Sequence, residues 1–186
     1  MNFNSHSNVL AGSHAILSPS NYHWINYDED KLDRIFFTRM EAQRGVELHA
    51  FAHEAIRLGI KLPDVNKTLN MYVNDGIGFK MQTEQILYYS ENCFGHGDSV
   101  QFRDRLLRIH DLKTGVNESS EHQLEVYAAL FCLEYHFKPF DIDMELRIYQ
   151  NDQVRAYFPE PDDIFHIMDK IITFDKRINL LKSEVA

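Results

Sequence analysis

The spacing of apolar residues along this chain constrains its fold more than any other feature. Five short runs have strand character, at 85–90 (QILYYS), 97–102, 106–112 (LLRIHDL), 144–149 and 154–158. They form a group of three and a group of two, with a helical stretch at 120–137 between them. In that stretch Leu124, Tyr127, Ala128, Phe131 and Tyr135 share one face, Ser119-Ser120 are available as a cap, and Pro139 marks the end. Helical spacing also runs from Asp30 to about Gly59, with Gly45 as a point where it could break, and again over 161–181 through Ile164, Ile167, Met168, Ile171, Ile172 and Ile178. Residues 60–82, rich in Asn, Gly and Pro63, read as loop with one short helix around 67–73. The Leu17-Ser18-Pro19-Ser20 turn precedes Tyr22, Trp24 and Ile25 and predicts a short helix or anchoring segment. The order helix, three strands, helix, two strands, helix predicts an α/β chain of the α+β kind, a mixed β-sheet flanked by helices in a single domain.

At 186 residues the chain is long enough for one domain and short for two. No stretch approaches the ~20 apolar residues that span a bilayer, and the N-terminus has no basic start followed by an apolar run. A cytoplasmic protein is expected. Cys93 and Cys132 could make one disulfide at most and cannot build a four-cysteine metal site, so oxygen and nitrogen ligands must hold any metal. Net charge is −9, the wrong sign for passive attraction to nucleic acid, but most of the excess lies late in the chain: residues 1–115 carry 12 basic and 14 acidic side chains, residues 116–186 carry 7 and 14.

The segment Cys93 to Tyr127 holds the residues with chemical use. Alternation on a strand puts Asp111 and Lys113 on one face and turns Leu112 into the core. Asp98 lies thirteen residues before Asp111, on the preceding strand. Two carboxylates on adjacent strands can hold a hard divalent cation, and a neighbouring ammonium can orient a water and offset charge on a phosphate. Gln123 and Tyr127 are i and i+4 on the next helix and project from one face. A three-residue Asp-X-Lys pattern by itself is common at solvated strand ends.

Four motifs in order resemble the PD-(D/E)XK nucleases, in particular the RecB-type branch with the CRISPR adaptation exonucleases. They are Gly45/His49 on a helix, Asp98 preceded by Gly97, Asp111-Leu112-Lys113-Thr114-Gly115, and Gln123/Tyr127. The Leu17-Ser18-Pro19-Ser20 turn is similar to the start of that family. The resemblance covers residues 17–127 by motif and the remainder by element order. It implies a restriction-endonuclease-like sheet over residues 17–186, with residues 1–16 a flexible N-terminus. It further implies that Asp98 and Asp111 ligate Mg²⁺ (or Mn²⁺), that His49 completes the set with a contribution from the Leu112 carbonyl, and that Lys113 positions the attacking water. Gln123 and Tyr127 would touch DNA or order Lys113 and the metal shell. The chain departs from the family in lacking the proline of its name and the four cluster cysteines of many CRISPR adaptation nucleases. The helix acid is open among Glu54, ranked first, Glu41 and Glu47.

The implied activity is metal-dependent hydrolysis of DNA phosphodiester bonds, as an exonuclease in recombination, repair or phage DNA processing, with a recombination or repair protein as partner or a homo-oligomer as the working form. The rivals are a catalytically silent acidic interaction protein on the same scaffold and a structure-specific endonuclease. Other residues carry plainer readings. His49 and His53 are i and i+4 and could chelate zinc, although no zincin motif follows. His96 and His110 line the site or are ordinary histidines. Arg103, Arg105 and Arg108 hold phosphates or form a solvated face, and Tyr88-Tyr89 belong to the core.

Overall fold

Acidic Glu29 and Asp30 open a thirty-residue helix, α1 (Glu29–Leu58), where they complement the positive end of the helix dipole. Gly59, at φ +68°, ends it in the left-handed conformation that glycine adopts without strain. Gly45 does not break this helix. It is buried, and a Cβ there would lie 2.8 Å from Thr114 Oγ1, so its lack of a side chain admits the segment that follows Lys113. The computed structural model describes residues 4, 6–9 and 12–185, so residues 1–3, 5, 10 and 11 of the expected N-terminal tail lie outside the described residues.

Within α1 the chain divides into two compact units, Met1–Arg44 and Gly45–Ala186. In the first, a 3-10 helix over Pro19–Asn26 departs from helical angles at Asn21. The Trp24 indole N–H donates to the Ser18 carbonyl at 3.0 Å, and Arg39 donates to the His14 carbonyl at 2.8 Å.

The second unit is built on a five-stranded mixed sheet in the order β1 (Gln82–Ser90), β2 (Cys93–Arg103), β3 (Leu106–Leu112), β4 (Asp143–Gln150) and β5 (Gln153–Tyr157). Neighbours are antiparallel except β3 and β4, which pair in parallel. A parallel pair needs a long crossover, and α3 (His122–Glu134) supplies it. Asn151 and Asp152 both take positive φ, as the tight β4–β5 hairpin requires. The short helix expected around 67–73 is longer in the structure, α2 (Thr68–Gly78), and it includes Gly76, where Ile56 packs in the place a Cβ would take. Helix α4 (Pro161–Val185) closes the chain.

Strand alternation divides the core into two. On one face Leu87, Val100, Leu107, Ile109, Leu146 and Ile148 pack against Leu124, Ala128 and Phe131 of α3 and Ile164 and Ile171 of α4. On the other, Leu112 and Tyr149 meet Tyr72 and Val73 of α2 and Ala52, Ala55 and Ile56 of α1. Tyr89 packs against the first core, but Tyr88 is exposed and stacks on Phe94; both had been expected in the core. Among the described residues no helix is long and apolar enough to cross a membrane.

Candidate metal and carboxylate site

Three neighbouring strands bring three acids into one region. β2 and β3 pair up to Ser99 and His110, and Asp98 and Asp111 come next to that last pair on their strands. β1 and β2 pair Thr83 with Ser99 and Gln85 with Gly97, which leaves Glu84 opposite Asp98. Asp111 is tied to α3 through Lys113 and Gln123, whereas Asp98 reaches His49 of α1, and Ser99 and His110 turn to the face that carries α2. There Ser99 meets the Tyr72 hydroxyl at 2.6 Å and His110 lies against Tyr149.

Asp98 is held at both ends of its reach. Its Oδ2 accepts from the Leu112 N–H at 2.9 Å and lies 3.4 Å from His49 Nδ1. Leu112 thus holds Asp98 through its N–H. Burial alone would raise the Asp98 pKa, but the hydrogen bond and charge of His49, with the Leu112 N–H, outweigh it and lower the group below the usual carboxylate range. His49 is raised in turn, chiefly by its hydrogen bond to Asp98.

Asp111 behaves oppositely. Its side chain is only 5% exposed, and burial followed by the nearby Asp98 charge raises its pKa against the pull of Lys113. Lys113 Nζ donates to Asp111 Oδ1 at 3.1 Å and to Gln123 Oε1 at 2.7 Å. Gln123 Nε2 lies 3.3 Å from the Tyr127 hydroxyl, which donates to the His96 carbonyl at 2.7 Å. Gly95 makes room for that ring, since a Cβ there would come 2.7 Å from Tyr127 Cε1. The chain Asp111–Lys113–Gln123–Tyr127 thus ties the end of β3 to α3 and β2.

The residues named for the site from the sequence fall into two neighbouring sets, His49, Asp98 and Leu112 in one and Asp111, Lys113, Gln123 and Tyr127 in the other, which adjoin along β3. Several secondary candidates belong to neither. Glu54 pairs with Arg57 on an exposed face of α1. Arg108 is held by Glu145, Arg103 by Asp104 and Arg105 by the Asp141 carbonyl. His110 is fully buried on the other face between Phe79 and Tyr149, and burial followed by the charges of Arg147 and Arg108 pushes its pKa down to about 3.

Two residues enlarge the site beyond the expected set. His53, one turn after His49, lies with His49 and Asp98 so that their ligand atoms are all within 4.8 Å of one another. Glu84 places Oε1 3.0 Å from His53 Nδ1 and does so from a left-handed backbone, φ +52°, inside a strand. The i, i+4 spacing of the histidines was visible in the sequence. Glu84 was not, because it lies just ahead of the strand that the apolar pattern marks out.

The donor set suits a divalent cation. Two carboxylates share a part-buried space with a single ammonium, and Asp111 Oδ2 is buried with no hydrogen bond although Lys113 is 3.0 Å away. The chain matches no family model, no curated protein and no solved structure.

Proposed function

We propose that this chain is a metal-dependent nuclease that hydrolyses DNA phosphodiester bonds, acting as an exonuclease in recombination, repair or phage DNA processing in the cytoplasm. The observation that carries this reading is Lys113, whose ammonium is fixed between Asp111 and Gln123 beside a second carboxylate, Asp98. A metal-activated water needs such a cluster: oxygen ligands for Mg²⁺ or Mn²⁺ and a fixed positive group beside them.

Asp98 and Asp111, with His49 at the edge, would hold the cation, which supplies a more acidic water and charge for the phosphate. Lys113 orients that water toward phosphorus and offsets the negative charge that builds on the non-bridging oxygens as the P–O bond breaks. Gln123 fixes the Lys113 rotamer, and Tyr127 fixes Gln123, so the ammonium is positioned before substrate arrives.

The test is cleavage of end-labelled linear and closed circular DNA with Mg²⁺, Mn²⁺ or EDTA. Metal-dependent loss of linear DNA alone is the expected result, and Lys113→Ala should abolish it with the circular dichroism spectrum unchanged. Nicked circles would make the protein an endonuclease. Full activity in Lys113→Ala would refute the assignment, and no cleavage with any metal would favour a silent interaction protein on this scaffold.

A further inference from the structure

The nitrogen-rich side of the site has a chemistry of its own. His49 and His53 stand one turn apart on α1, so both rings project from the same face, and they meet edge to face at 5.9 Å between centroids. His53 is 8% exposed, and neither ring nitrogen makes a hydrogen bond, although Nδ1 lies 3.0 Å from Glu84 Oε1. A buried imidazole without a hydrogen bond gives up solvation and gains nothing local in return. Across from it, Glu84 holds a left-handed backbone that costs an L-residue energy. A strained acid and an unsatisfied histidine thus face each other beside a carboxylate that already touches His49.

We propose that His49, His53 and Asp98 bind a divalent transition-metal ion of the Co²⁺ and Zn²⁺ class, with Glu84 as the acceptor that orients His53. The ligand atoms lie within 4.8 Å of one another, and donors around a tetrahedral ion with bonds of about 2.1 Å sit roughly 3.4 Å apart, so a small closure brings three donors to bonding distance and leaves the fourth position to water. Two imidazoles and a carboxylate suit borderline ions, whereas Mg²⁺ prefers oxygen and keeps its waters. A ligating imidazole normally donates its other N–H to a carboxylate; Glu84 is placed for Nδ1 of His53, which leaves Nε2 as the ligand nitrogen. The inference shares His49 and Asp98 with the nuclease reading but stands on His53 and Glu84, and it holds whether or not DNA is cut.

Titrating the untagged full-length chain with Co²⁺ and following visible absorption tests it. One Co²⁺ per chain should bind, Zn²⁺ should displace it, and millimolar Mg²⁺ should not. His53→Gln and His53→Ala should lose the absorption, and Glu84→Gln should weaken binding by about tenfold. If the His53 variants fail to melt cooperatively, exposed Glu84 still carries the test. Unchanged Co²⁺ affinity in Glu84→Gln and in folded His53 variants overturns the proposal, as does the absence of Co²⁺ binding. Mg²⁺-supported cleavage without Co²⁺ binding would overturn it and leave the nuclease standing; bound Co²⁺ without cleavage would do the reverse.

Discussion

Asp111 shows how a single buried carboxylate can be held against its own stability. It is nearly solvent-free, lies next to Asp98, and has one ammonium beside it, so its charged form is disfavoured. Replacing it with Asn keeps the shape and removes the charge. Asp111→Asn is therefore expected to raise stability by roughly 1 kcal/mol at neutral pH in EDTA, within the range found when a strained active-site group is relieved. Thermal unfolding reads this, and a clear fall in Tm would show that the Lys113 ion pair outweighs the burial. Under the proposed nuclease reading the same substitution removes cleavage, because Asp111 is there one of the two carboxylates assigned to the cation.

At the scale of one element, β3 carries opposite chemistry on its two faces. Asp111 turns toward Lys113 and α3, while its neighbour His110 is enclosed by Phe79 and Tyr149. The Tyr149 hydroxyl donates to Asp75 Oδ2 at 2.6 Å, so its oxygen is free to accept from His110 Nδ1 at 3.2 Å. That hydrogen bond fits either protonation state of the ring, and it is burial with the two arginines that keeps the imidazole neutral down to about pH 3. In the unfolded chain the ring takes a proton near pH 6.5. Between those values the unfolded state binds more protons, so stability rises with pH and is lost as pH falls below 6.5. By pH 5 the loss from this group is on the order of 2 kcal/mol. Urea unfolding at pH 7 and pH 5 should show that difference shrink in His110→Gln; an identical pH dependence in both proteins would mean that the ring charges without cost.

For the whole molecule, every residue of the carboxylate and metal site lies within Gly45–Ala186, as do both hydrophobic cores. A chain of residues 45–186 is therefore expected to melt cooperatively and to bind Co²⁺ like the full-length protein. Circular dichroism and the same Co²⁺ titration decide this. A fragment that fails to fold would show that residues 1–44 are required for the folded state of the sheet.

Much of this was readable from local rules. Period-two alternation gave the strands from 106 to 112 and the opposite directions of Asp111 and Leu112, and period-3.6 spacing gave α3 and the shared face of Gln123 and Tyr127. Strand count and helix order sufficed for a mixed sheet, because a chain must bury one face of each element. What remained hidden depended on distance in sequence. Gly45 and Gly76 lie inside helices where Thr114 and Ile56 leave no room for a Cβ, a packing role that local propensity does not reveal. The exclusion of Arg108 followed from a partner, Glu145, far along the chain and that of His110 from which face the strand presents, whereas the Arg57 that pairs with Glu54 lies one helical turn away. Glu84, Asp98 and Asp111 come near one another only through the pairing of three strands, and His53 meets Glu84 only through the approach of α1 to β1. By itself the sequence determined the elements and the chemistry they carry, since both depend on neighbours along the chain. The tertiary structure decided which of those groups meet, since hydrogen bonds and ion pairs act over a few ångströms whatever the sequence separation.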